Sequence, residues 1–111
     1  MTFDEYQVLA QRTSPANHDR IVNGALGLAG EAGECADYVK KHLFQGHNLD
    51  CAHLAEEIGD VLWYCAELAA GIDRSLDEIA EQNIAKLRKR YPDGFDPERS
   101  FHRDRYEEVN K

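Results

Sequence analysis

Between Leu49 and Ile72, apolar residues recur at Leu54, Ile58, Val61, Cys65, Leu68 and Ile72, in steps of three and four that fall along one face of a helix. A half-buried strand would need steps of two, and no segment of the chain alternates that way. The chain is therefore confined to helical architectures, and its punctuation divides it. Thr2 with Glu5, and Ser75 with Glu78, have the spacing of capping boxes, in which side chain and backbone satisfy each other's unpaired groups at a helix start. A first helix is predicted from Phe3 to Arg12, ended by the turn-forming run Ser14-Pro15-Ala16-Asn17. A second runs from Asn17 to Leu43, a turn follows over Gln45 to Asn48, and a third covers Leu49 to Ile72. Gly71 to Arg74 closes that helix, and a fourth runs from Ser75 to Arg90 and stops at Tyr91-Pro92-Asp93-Gly94. The tail, residues 92–111, holds Pro97, many charges and few apolar side chains, of which Phe95, Phe101 and Tyr106 would anchor it to the body or to a neighbouring subunit. The simplest architecture is all-α: a four-helix bundle in a single domain over residues 1–111, with its helical core at 3–91.

A chain of 111 residues leaves a large share of its surface exposed, so helices with two apolar faces need a partner subunit. Lys and Arg number 13 against 21 for Asp and Glu, and the formal charge of -8 disfavours nucleic acid as a partner. A polyphosphate is still compatible with that surface if a divalent cation stands between carboxylates and ligand. Cys35, Cys51 and Cys65 are odd in number and form no C-x-x-C, which points to reduced thiols and a cytoplasmic location rather than a disulfide framework or zinc knuckle. No signal pattern precedes Thr2, and the apolar run Val61 to Ala66 is cut off by Asp60 and Glu67, so a membrane partner is not expected.

Two carboxylate pairs carry the chemistry. Glu31 and Glu34 on the second helix, and Glu57 and Asp60 on the third, are each three residues apart and so share a helix face. At about 100° per residue, Glu31 borders the stripe Ile21, Leu28, Ala32, Cys35 and Val39, with Glu34 just beyond. Glu57 borders the stripe of the third helix in the same way, with Asp60 outside it on the same side. Two antiparallel helices packed along these stripes would bring four carboxylates together. Such a cluster repels itself unless a cation enters it, and hard oxygen ligands suit Mg²⁺.

Two plainer readings compete. Acids on a helix are usually solvated surface, and E-x-x-E alone is a weak motif, but two pairs in matching phase are less common. A salt-bridge network lacks cations, because no Lys or Arg occurs from Asn48 to Asp73, and Lys40 and Lys41 lie elsewhere on their helix. A di-iron site would need Glu-x-x-His on two helices, and the nearest approach is a single Asp50-x-x-His53.

On the fourth helix, Leu76, Ala80 and Leu87 make an apolar stripe that includes Asn83 and is bordered by Lys86 and Arg90. Asn83 there would need a polar partner, or would be an ordinary buried Asn between two snorkelling cations. Arg88 and Lys89 point outward as solvated surface. Gly24 and Gly27 lie on the Glu31 side of the second helix, where a missing side chain admits either a ligand or a packed helix. His18, His42, His47, His53 and His102 have no metal-ligand spacing and read as surface or loop residues. Trp63 projects from the third helix opposite Leu54 and Ile58, where a single four-helix unit would leave it wet.

The run Ala25 to Glu34 (ALGLAGEAGE), followed by Glu56 to Asp60 (EEIGD), resembles the E-x-x-E and E-x-x-D signature of the MazG-like all-alpha nucleotide pyrophosphohydrolases. The likeness continues through Asn83 to Phe95 (NIAKLRKRYPDGF) and so spans most of the chain from the second helix onward. The resemblance implies hydrolysis of a (deoxy)nucleoside triphosphate between its α and β phosphates, giving monophosphate and pyrophosphate. It implies Mg²⁺, with Mn²⁺ as a substitute, held by Glu31, Glu34, Glu57 and Asp60, and a catalytic base at Glu31 or Glu34. Lys86 and Arg90 match positions that contact phosphates, and Asn83 matches one near the sugar or phosphates. Homodimers or homotetramers are implied as well. A dUTPase-like or dCTPase-like branch, and a non-catalytic binding or regulatory module on the same fold, are the alternatives.

Overall fold

The computed structural model describes residues 1–103. Tyr106, assigned above as a possible anchor, lies outside the described residues. The described chain is all-helical: α1 (Phe3–Gln11), α2 (Arg20–Phe44), α3 (Cys51–Gly71), α4 (Leu76–Arg90) and α5 (Pro97–Phe101). It divides into two compact units, Met1–Leu76 and a second beginning at Asp77.

Each helix start in the first unit has a chemical cause. Thr2 and Glu5 form the expected capping box, with Glu5 N donating to Thr2 Oγ1 at 3.0 Å and Thr2 N to Glu5 Oε1 at 3.2 Å. The second helix begins at Arg20 and not Asn17, because Asp19 is its N-cap and accepts from the amides of Ile21 and Val22. Asp50 caps α3 in the same way, accepting from Ala52 and His53. At the other end of α3, Arg74 N donates to Ala69 O and Asp73 N to Ala70 O, the paired bonds of a Schellman closure. The left-handed position in it is Asp73, at φ 57°, rather than a glycine. Gly71 is needed for another reason: a Cβ there would meet Ile21 N at 2.9 Å.

The two long helices, α2 and α3, run antiparallel along each other, and α1 packs on α3. Gly24 and Gly27 serve this packing and not a ligand, since a Cβ on Gly24 would lie 2.8 Å from the Leu68 backbone and one on Gly27 2.1 Å from the Tyr64 ring. The buried apolar core is small: Ala10, Ala66, Ala69 and Leu76, with Tyr6, Trp63 and Cys65 packed against it. Trp63 is therefore not left wet. It is half-buried, and its Nε1 donates to Ala10 O at 3.1 Å and to Thr13 Oγ1 at 2.9 Å, because the end of α1 covers this side of α3. The predicted stripes are only partly buried: Leu28, Cys35, Leu54, Val61, Cys65 and Leu68 are intermediate, whereas Ile21, Val39, Ile58 and Ile72 are exposed. Glycine allows the closest approach, with Gly24 against Leu68 and Gly27 against Tyr64.

In the second unit, the tail forms a short helix, α5. Asp96 caps the short α5, accepting from Glu98 N, and Pro97 occupies its first turn, where the missing N–H costs nothing. Arg99 then returns to the end of α4, donating from Nε to the Arg90 carbonyl and from Nη2 to the Lys89 carbonyl at 3.1 Å. The rings of Tyr91 and Phe95 meet with centroids 5.3 Å apart.

Candidate metal centre

The antiparallel course of α2 and α3 sets up a series of matched layers. Beginning at the loop end of the pair, Tyr38 of α2 stands against His53 of α3, with ring centroids 4.7 Å apart. Further along come the carboxylates, then Gly27 over Tyr64, then Gly24 against Leu68. This register brings Glu31 of α2 to Glu57 and Asp60 of α3, each offering one oxygen, with these three atoms all within 4.8 Å of one another. Glu31 and Glu57 are half-buried and Asp60 is exposed. Glu34 is exposed one turn along α2 and is not among the three, although its charge reaches Glu31.

The electrostatics are those of a site short of positive charge. The Glu31 carboxyl is held above its ordinary 4.5, first by desolvation, then by a hydrogen bond with Glu57 and by the negative charges of Asp60, Glu57 and Glu34. Three converging carboxylates either share a proton or take a cation. The oxygen-only donor set fits a hard divalent ion. Lys40 and Lys41 do not relieve the cluster, since both pair with Asp37, at 3.5 and 3.0 Å. His53 does reach it: Nε2 stands 3.4 Å from Glu57 Oε1. This His lies four residues before Glu57, a spacing visible in the sequence; it is exposed, as expected, and also stands within ion-pair distance of the cluster.

The remaining predicted residues belong to α4. Asn83 is exposed, not enclosed in an apolar stripe. Lys86 is also exposed and, with Gln82, Ala85 and Lys89, lines an open hollow of about 380 Å³. Arg90 is half-buried at the helix end.

Sequence reasoning missed a second polar centre in the first unit. Glu67 is fully buried, with a side-chain exposure of 0%, yet it accepts from Gln11 Nε2 at 3.2 Å, Ser14 Oγ at 2.8 Å and Asn23 Nδ2 at 2.9 Å. His18 Nε2 stands 2.7 Å from Oε2, and Arg20 Nε lies 3.7 Å from Oε1. Burial alone would raise this carboxyl, but the bonds from His18, Ser14, Asn23 and Gln11 outweigh it and hold the group at about 2. His18, expected as a plain loop residue, thus ties the α1–α2 connection to α3, its Nδ1 meeting the Pro15 carbonyl at 2.6 Å. A charged residue inside an otherwise apolar run was the available signal.

An all-helical chain whose antiparallel pair gathers acidic oxygens defines a candidate divalent-metal protein. The chain belongs to the MazG nucleotide pyrophosphohydrolase domain family, whose pattern it matches over residues 23–95. That family generally hydrolyses nucleoside triphosphates and generally depends on a divalent metal. The chain is also similar to the Gene 37 protein of Mycobacterium phage L5, at 38% identity over 103 residues covering 81% of this chain and 89% of the relative. No solved structure is significantly similar. Among the described residues, no helix is long and apolar enough to cross a membrane.

Proposed function

We propose that this chain is a Mg²⁺-dependent nucleotide pyrophosphohydrolase that cleaves a (deoxy)nucleoside triphosphate between the α and β phosphates, giving a monophosphate and pyrophosphate. The observation that carries this reading is the convergence of Glu31, Glu57 and Asp60 oxygens within 4.8 Å in a chain of this family. Those three, with Glu34 beside them, would hold the cation, with Mn²⁺ as a substitute. When bound, the ion supplies charge neutralisation on the phosphate oxygens.

The protein's own groups do the rest. Glu34, the outermost of the four, or Glu31 accepts a proton from water through a carboxylate oxygen that the ion does not engage. The water oxygen bonds to phosphorus in line as the α–β bridging bond breaks, and pyrophosphate leaves. Lys86 and Arg90 meet the phosphates, and Asn83 the sugar or an adjacent phosphate. The exposed apolar side chains of α2 and α3, including Leu26 at 71% and Ile58 at 59%, support a homodimer or homotetramer. A single domain over residues 1–111 and a cytoplasmic location complete the proposal.

The test is pyrophosphate release from a panel of standard and modified nucleoside triphosphates, with and without Mg²⁺, for wild type beside Glu57→Gln. Metal-dependent monophosphate and pyrophosphate, lost in the variant, are expected, and the preferred base identifies any dUTPase-like or dCTPase-like narrowing. Binding of nucleotides without turnover of any of them overturns catalysis in favour of a regulatory module.

A further inference from the structure

We propose that His53 is a positioning residue for the metal centre, fixing the Glu57 carboxylate through a contact that Tyr38 holds in place; the inference rests on the metal reading above. Glu57 has three side-chain torsions and would otherwise sample several rotamers, at an entropic cost each time it had to be ordered around a cation. His53 Nε2 stands 3.4 Å from Glu57 Oε1, one helical turn away. The approach is an electrostatic one, a ring nitrogen within ion-pair distance of a carboxylate oxygen. Engaging one of the two oxygens restricts rotation of the group and leaves the carboxylate's other lone pairs for the cluster.

An exposed His and Glu at this spacing are usually a weak helix-surface pair. Here the His is braced. Its ring packs on Tyr38 across the helix pair, with centroids 4.7 Å apart and planes tilted by 49°. Tyr38 is itself fixed at its far end, where the hydroxyl accepts from Asp50 N at 2.8 Å and donates to the Asn48 carbonyl at 3.4 Å. Asp50 in turn caps the helix that carries His53, accepting from Ala52 N at 3.0 Å and His53 N at 3.4 Å. A continuous series of contacts therefore runs from the α2–α3 connection through Tyr38 and His53 to Glu57, whose carboxylate joins those of Glu31 and Asp60 within 4.8 Å. Outer partners of this kind orient the groups that touch a metal, and their loss typically costs about 10–100-fold in metal affinity. His53 is 46% exposed, which places the expected effect near the lower end.

The test is Mn²⁺ binding to the full chain without nucleotide, followed by the paramagnetic signal of free Mn²⁺, alongside thermal unfolding without metal. His53→Ala is expected to weaken Mn²⁺ by about tenfold with an unchanged melting temperature. His53→Gln, whose amide nitrogen reaches the place of Nε2, is expected to recover part of the loss. Unchanged affinity in His53→Ala, while Glu57→Gln abolishes binding, overturns the role of His53 and leaves the metal reading standing. Equal weakening in both His53 variants with a lowered melting temperature also overturns it, as a structural effect. Wild type that binds no Mn²⁺ overturns the metal reading itself.

Discussion

Asn23 donates from Nδ2 to Oε2 of Glu67 across 2.9 Å, joining α2 to α3 at a carboxylate that solvent does not reach. This bond lies on the same helix pair as the acidic cluster, so the register it fixes is the register that brings Glu31 to Asp60. Glu67 ordinarily titrates at 4.5 and is held at about 2 in the fold. A depressed folded value means that its stabilisation is fully present above pH 4.5 and is lost as pH falls toward about 2. The shift corresponds to about 3 kcal/mol, of which about 2 kcal/mol should be gone by roughly pH 3. Urea unfolding of wild type and Glu67→Gln across this range checks it. The variant should be less stable by about 2–3 kcal/mol at neutral pH, and the gap should narrow on acidification. A gap independent of pH would show that the ionised form is not what the surrounding donors stabilise.

The glycines of α2 give a contrast within one helix. A Cβ at Gly24 would meet the Leu68 backbone at 2.8 Å, and backbone cannot swing aside, so α2 and α3 would have to separate. Gly24→Ala should cost about 1–3 kcal/mol. Gly30 has nothing within 4 Å of the same atom. Gly30→Ala should therefore stabilise by up to about 1 kcal/mol, the difference in helix propensity. Thermal melts of the two variants should move in opposite directions, and matching shifts would mean that Gly24 is not a point of close approach.

The local parts of this fold were legible because their causes are local. The capping box at Thr2 and the end of α3 near Asp73 need only residues a few positions apart. Asn17 and Asp19 are both good N-caps, and the choice of Asp19 depends on where the preceding turn leaves the chain. Trp63 was misjudged because its shelter comes from α1, some fifty residues earlier, and periodicity says nothing about which helix covers which face. Glu67 was missed for the same reason, since its partners converge from the end of α1, the following turn and α2. The pairing of acidic residues in matching helical phase was legible, and Glu31, Glu57 and Asp60 do come together. Glu34 lies one turn along α2, where its charge still reaches Glu31.

Asp73 tests the backbone at the end of α3. Its φ of 57° lies in the left-handed region, where a β-branched residue is strained and Asp is tolerated. Asp73→Val should cost about 1–2 kcal/mol, and Asp73→Gly should be neutral or stabilising by roughly 0.5 kcal/mol. Chemical denaturation of both variants checks this. Equal losses would show that the Asp side chain, and not the backbone angle, matters at this position.

Metal binding should release protons, and Glu31 is the group expected to supply them. Its carboxyl is held above 4.5 by desolvation, by the Glu57 hydrogen bond and by the neighbouring negative charges, so it takes up a proton at a higher pH than an ordinary Glu. A protonated carboxyl is a poor cation ligand, and the ion must displace that proton in order to bind. Affinity for Mn²⁺ should therefore fall as pH is lowered toward 4.5, starting at a higher pH than for an ordinary Glu, and proton release per ion should rise over the same interval. Calorimetry in two buffers of different ionisation enthalpy measures both quantities. Glu31→Gln should remove most of the proton release, and it should weaken binding at every pH because a ligand is lost. Release that persists in that variant would assign the proton to Glu57 or Asp60 and move the shared proton of the cluster away from α2.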